Sequence, residues 1–188
     1  MSADHWNKIY VQNGGFRLKH HEMLTRVINL FKENGITGIV DLGCGEGSDI
    51  LAFAEAGFQV LGIDFSPVAV DIAQKRLQEK GFNGRAAVAD LHLEVPAMKD
   101  GSFGGVLAIN SLHYKTEADF LKVLHEIRRI LQEKGMLFLV VPSSHSKDQE
   151  GMSFSEKSLR AEVGKHFEIL DFDTDLRGNF ALTARRLS

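Results

Sequence analysis

The chain carries a single cysteine, Cys44, among 188 residues, so no internal disulfide framework braces it. No stretch approaches the roughly 18–20 consecutive apolar residues of a membrane span. No apolar segment of the secretory kind opens the chain either. Positive charge is not in excess: 22 Lys and Arg stand against 25 Asp and Glu, a formal net charge of −3. The longest basic cluster is Arg185-Arg186. Binding nucleic acid or an acidic membrane by bulk electrostatics needs a positive field, and none is present. Repeats, low-complexity segments and dividing linkers are missing too. What remains is 44% hydrophobic and 25% charged, the proportions of a globular chain, with length enough for one domain and its core. The expectations are cytoplasmic localisation and no nucleic-acid or membrane partner.

The informative stretch is residues 39–47, Ile-Val-Asp-Leu-Gly-Cys-Gly-Glu-Gly. Ile39, Val40 and Leu42 read as a buried parallel strand. Gly43, Gly45 and Gly47 let the backbone turn sharply at its end, with no Cβ to hold a ligand away. Ser48 and Asp49 are N-cap types for a helix running to Ala56, whose first N–H groups would face the same crevice. Further strands are expected at Gln59–Asp64, Arg85–Ala89, Gly104–Asn110 and Met136–Val141. Helices are expected over 20–33, from Ser66-Pro67 to Lys80-Gly81, over 116–133 and over 155–165. Strands alternating with helices imply right-handed crossovers and a parallel sheet. The tail breaks that rhythm. Only Asp173–Asn179 lies between the strands Phe167–Phe172 and Phe180–Ala184, enough for a hairpin and too short for a crossover.

Ligands of open α/β sheets sit beyond the strand carboxyl ends. Here those ends carry Asp41/Gly43, Asp64, Asp90 and Asn110. Asp64 follows Gly43 by 21 positions, the spacing from a phosphate-type turn to a ribose-binding acid. A dinucleotide-binding half has its acid in the same place. Its G-x-G-x-x-G pattern needs a third glycine where this chain has Ser48, and Glu46 would set negative charge beside a diphosphate.

Val40–Gly47 resembles the first motif of the class I S-adenosylmethionine-dependent methyltransferases. Gly62–Ser66 resembles their second motif, Ala89–Leu91 their third, Phe103–Asn110 their fourth, and the helix–Gly135–strand segment their fifth. The resemblance covers about residues 36–186 and implies a Rossmann-like three-layer α/β sandwich, a mostly parallel seven-stranded sheet with an antiparallel C-terminal hairpin strand. It implies S-adenosylmethionine as cofactor and S-adenosylhomocysteine as product. By position, Gly43, Gly45 and Gly47, with Asp41 and Cys44 in the same turn, would line the methionine and ribose end. Asp64 would hold the ribose hydroxyls and Phe65 lie against the adenine. Asp90 would accept from the adenine amino group beside Leu91, and Asn110 would border the sulfonium. Within the family the chain is most similar to the small tellurite-resistance and thiopurine type, which begin with an aromatic-rich arm.

Methyl transfer from a sulfonium is an in-line displacement that needs mainly alignment, and a base only where the nucleophile carries a proton. Candidates for acceptor contact and catalysis are His113 and Tyr114 after the fourth strand, and His145 after the fifth. Residues 1–35 are expected to cap the site, with Trp6, Tyr10, Phe16 and Arg17 closing over the cofactor and Arg17 facing its carboxylate; residues 36–188 form the core. Asp90, His92 and Glu94 alternate as strand-borne metal ligands might, but Pro96 and the polar surroundings point to a loop, and no metal is expected. Cys44 suits the turn by its small size. Asn110-Ser111-Leu112-His113 lacks the paired prolines of DNA amino-methyltransferases, so the expected partner is a small-molecule acceptor met by a monomer or homodimer. Competing readings are a non-catalytic binding protein that kept the pocket and an NAD-linked oxidoreductase.

Overall fold

A computed structural model describes residues 6–8, 10–11, 21–112, 116–146 and 152–188. The chain divides into two compact units, Met1–Glu94 and Val95–Ser188. The first holds α1 (His21–Glu33), β1 (Gly38–Leu42), α2 (Ser48–Glu55), β2 (Gln59–Asp64), α3 (Pro67–Glu79) and β3 (Arg85–Val88). Its strands are parallel in the order β3-β2-β1. Leu42 stands opposite Ile63, so β1 and β2 deliver their following turns to the same edge. A cluster of Phe31, Phe53 and Phe58 packs edge to face, with centroids 5.7 and 5.0 Å apart. Helix α1 enters this core through Leu24, Val27 and Phe31. It is part of the unit's packing.

Helix α4 (Leu91–Ala97) straddles the boundary. The second unit continues with β4 (Phe103–Ile109), α5 (Glu117–Ile130), β5 (Leu131–Val141), α6 (Glu156–Val163), β6 (Phe167–Thr174) and β7 (Phe180–Arg186). Strands β4 and β5 run parallel, β7 lies antiparallel beside β5, and β6 forms the outer strand of the hairpin. Seven mostly parallel strands closed by an antiparallel hairpin are the fold class expected.

Two elements differ from expectation. Residues 91–97 are helical where Pro96 pointed to a loop. Asp90 starts the helix, its carboxylate accepting from the His92 N–H at 2.9 Å. Arg129 ends it, donating to the carbonyls of Val95 and Pro96 at 3.0 and 3.2 Å and of Met98 at 2.7 Å. Those are the carbonyls a helix terminus leaves open, and a guanidinium more than 30 residues away closes them. The other difference is at α5, which stops at Ile130 rather than near 133. Leu131 falls on the helical period after Ile127, yet it already pairs with Phe103 in the sheet. A four-residue excursion follows before Met136 pairs with Gly105, with Lys134 at φ 60°. Burial of Ile130 and Leu131 looks the same in sequence whether a helix or a strand causes it.

Candidate active site

The glycine turn is built as its composition demands. Gly43, Gly45 and Gly47 have φ of 84°, 52° and 82°, a region that side chains rarely enter. Gly43 and Cys44 donate their N–H groups to the Ile63 carbonyl at 2.7 and 3.0 Å, which ties the turn to the end of β2. The three glycines serve different ends. A Cβ on Gly45 would lie 2.8 Å from the Tyr10 hydroxyl, so this glycine lets Tyr10 close over the turn. A Cβ on Gly47 would stand 2.7 Å from that of Ala73. Gly47 therefore also lets α2 and α3 approach, a packing role that sequence reading did not assign to it.

Asp64 closes the corner. One carboxylate oxygen accepts from the Gly45 N–H and the other from the Ser66 N–H, both at 2.9 Å. Burial raises its pKa, and the backbone donors of Ser66, Gly45 and Phe65 pull it back in part. Each oxygen keeps a further lone pair, so the group can still accept two hydroxyls. Asp41 is buried at the end of β1. Burial, and then the Asp49 and Asp64 carboxylates, hold it well above the ordinary carboxylate range. Burial, and then the Asp41 and Asp64 carboxylates, push the Cys44 thiol up, and its sulfur packs where a Cβ on Gly62 would lie. Cys44 is a neutral packing group.

Glu46 needs a correction. The sequence reading set its charge beside the ligand, but the side chain is buried and paired with Arg76 of α3 at 3.2 Å. The guanidinium also donates to the Glu46 carbonyl at 3.0 Å. Its charge is spent inside the scaffold and no longer speaks against a dinucleotide. Sequence reading also missed Asn7. Residues 6–8 and 10–11 are helical, and Asn7 Oδ1 accepts from the Ser66 hydroxyl at 2.5 Å. Ser66 in turn caps α3, accepting from the Ala69 N–H at 3.2 Å. Trp6 lies 6.0 Å from Tyr10, ring centre to ring centre. Burial first, then the acids led by Asp64, push the Tyr10 phenol up, so it stays protonated and can donate. Nothing in the local pattern marks Asn7.

Phe65 and Leu91 are half-buried and Asp90 is exposed at its capping position. In the second unit, Asn110 lies just past β4, held by a bond from its N–H to the Val140 carbonyl at 3.0 Å. His145 is exposed, its N–H donating to Ser143 Oγ at 3.0 Å. A buried polar network surrounds that loop. Ser143 Oγ donates to the Gly178 carbonyl at 2.6 Å, and Ser146 Oγ to Asn179 Oδ1 at 2.5 Å. Asn179 donates to Asp175 at 3.0 Å, whose other oxygen accepts from the Arg177 and Asn179 N–H groups. The turn between β6 and β7 thus grips the loop after β5. His113, Tyr114, Phe16 and Arg17 lie outside the described residues. Among the described residues no group of three or more His, Cys, Asp or Glu could hold a metal ion, and no helix is long and apolar enough to cross a membrane.

A family model described as a methyltransferase domain matches residues 39–135. The chain is 31% identical over 154 residues to an uncharacterised protein of Methanocaldococcus jannaschii, covering 82% of this chain and 60% of that one. It is 32% identical over 118 residues to the demethylmenaquinone methyltransferase of Thermus thermophilus, covering 61% of this chain and 51% of that one. The chain thus spans about half the length of the curated relatives it matches. Among solved structures, an S-adenosylmethionine-dependent methyltransferase of Clostridium acetobutylicum superposes with a TM-score of 0.77 at 13% identity, covering 98% of this chain and 99% of that one. That likeness shows the fold and singles out no subgroup. With a family model matching more than half its length and the glycine corner inside the match, the chain belongs to the methyltransferase-domain family, among the class I S-adenosylmethionine-dependent methyltransferases.

Proposed function

We propose that this chain transfers a methyl group from S-adenosylmethionine to a small-molecule acceptor, leaving S-adenosylhomocysteine. The observation that carries the reading is the bond from the Gly45 N–H to the Asp64 carboxylate at 2.9 Å. It joins the open glycine turn to a buried acid that still has accepting capacity. The residues fit the cofactor. Gly45 lets Tyr10 of the cap approach the turn closely, and Asp64 offers the paired oxygens that two ribose hydroxyls require. Phe65 and Leu91 supply apolar surface for the adenine, and the free oxygen of Asp90 accepts its amino group. Gly43 and Asp41 line the methionine end. When bound, the cofactor supplies an electrophilic methyl group: an acceptor lone pair takes it, the carbon–sulfur electron pair stays on sulfur, and any acceptor proton passes to water.

The chain's own part is to bind, orient and exclude water. Trp6 and Tyr10 form the cap, with Arg17 assigned to the cofactor carboxylate by its position in sequence. The Tyr10 phenol acts as a donor and not as a base. His113 and Tyr114 are assigned to acceptor contact. A small acceptor is supported by the net charge of −3 and by the similarity to a demethylmenaquinone methyltransferase.

Calorimetry with S-adenosylmethionine, S-adenosylhomocysteine and NAD tests the cofactor, and labelled methyl transfer to small acceptors and to total RNA tests the acceptor. Micromolar binding of the first two ligands without NAD binding is expected, with label in the small-molecule fraction. Absence of binding to either sulfur ligand would sink the reading. Binding without transfer to any acceptor would favour a non-catalytic binding protein.

A further inference from the structure

Glu46 stands between Gly45 and Gly47, two residues at φ 52° and 82°, so the backbone on either side of it is intrinsically free. One side of the turn is fixed by the Gly45 N–H, which donates to Asp64 at 2.9 Å. The other side is fixed from α3. Arg76 donates to the Glu46 carbonyl at 3.0 Å and to its carboxylate at 3.2 Å, and reaches Ser48 Oγ at 3.4 Å. Ala73, one helical turn before Arg76 and on the same face of α3, lies against Gly47. The Glu46 side chain is only 5% exposed and that of Arg76 29%. Such a pair is a poor source of stability, because desolvating both groups offsets most of their attraction. What it supplies is geometry: a planar guanidinium holds the backbone and the side chain of one residue at once. Helix α3 carries that geometry back to the acid, since its cap Ser66 donates its N–H to the other Asp64 oxygen at 2.9 Å. Turn, acid and helix close a ring through Arg76.

We propose that Arg76 is a positioning residue for the cofactor: by holding Glu46 it sets the angle at which the glycine turn meets the Asp64 carboxylate, and through that carboxylate the affinity for the ribose. This rests on the methyl-transfer reading and extends it to a residue that acts through others.

The test uses the full chain and calorimetry with S-adenosylhomocysteine, well below the Tm of each variant. Arg76→Met alone strands a buried charge on Glu46 and lowers Tm for that reason. Combining it with Glu46→Gln removes the stranded charge and is expected to recover most of the lost Tm. The combined variant should still bind S-adenosylhomocysteine about 3- to 30-fold more weakly than the unmodified chain. Arg76→Lys keeps the charge without the planar fork, and should raise the Kd by about 3-fold or more at a nearly unchanged Tm. A further comparison locates the effect. In an Asp64→Ala background, adding Glu46→Gln and Arg76→Met should change the Kd by less than about twofold, because the carboxylate through which Arg76 acts is gone. An unchanged Kd in either the combined variant or Arg76→Lys makes the contact a matter of folding alone and overturns the proposal. So does a loss that multiplies undiminished with that of Asp64→Ala, which would put Arg76 on another route to the ligand. Failure of the unmodified chain to bind S-adenosylhomocysteine overturns the methyl-transfer reading itself, and this proposal with it.

Discussion

The two polar centres at the carboxyl ends of the strands are built on opposite plans. In the first unit, the corner around Asp64 is assembled from backbone: glycine N–H groups, a helix start and one carboxylate, all within residues 43–66. In the second unit, the loop after β5 is held by side chains, Ser143 and Ser146 reaching Gly178 and Asn179 some 33–35 positions away. The first centre keeps accepting capacity in hand, and the second is almost entirely satisfied internally. A backbone-built corner can bind, whereas a side-chain lattice that has consumed its own donors mainly positions. The contrast predicts that damage to the second centre costs folding, while damage to the first costs binding.

The largest expected effect is on folding. Asn179→Ala removes the side-chain amide bonded to both Asp175 and Ser146, and should cost about 2–4 kcal/mol of stability by urea denaturation. A loss under about 0.5 kcal/mol would show that the lattice is not what holds the loop. Next, Asp64→Ala should weaken S-adenosylmethionine binding by about 1–3 kcal/mol through lost charged hydrogen bonds, read by calorimetry. Unchanged affinity would mean that the ribose lies elsewhere. Arg129→Met removes the donors that close α4, and should cost about 1 kcal/mol, seen as faster amide exchange confined to residues 91–98. Uniform exchange across the second unit would instead make Arg129 a core residue.

The smallest effect concerns pH. Asp41 is held above its unfolded pKa, so the folded state binds the proton more tightly than the unfolded chain. Stability contributed by that proton is present at low pH and lost as pH rises through the folded value. Asp41→Asn should therefore raise Tm at pH 7 by about 2–4 °C, with the gain shrinking as pH falls toward 4. A gain independent of pH would show that ionisation of Asp41 is not its cause.

How much was legible follows the same division. β2 falls at Gln59–Asp64 as expected, and Ser66-Pro67 opens α3 as an N-cap and first-turn proline, because apolar runs and capping residues act over a few positions. The glycine turn was legible for the same reason, since only glycine holds φ near 80° repeatedly. Reading failed where the deciding partner is remote. Arg129 turned residues 91–97 from an expected loop into a helix. Arg76 drew Glu46 into the scaffold, removing an objection to a diphosphate that sequence alone had raised. Ala73 explains Gly47, and no local pattern would reveal it.

The sequence by itself determined the glycine turn, its pairing with Asp64 and the closing hairpin, and hence the family. Backbone conformation and chain length act locally, and both are written in residue type and spacing. Only the tertiary structure decided which glycine faces Tyr10 and which packs a helix, where the charge of Glu46 goes, and that Asn110 Oδ1 and Ser111 Oγ stand buried without partners. Those depend on what lies opposite a side chain once distant segments meet, and no local order of residues carries that.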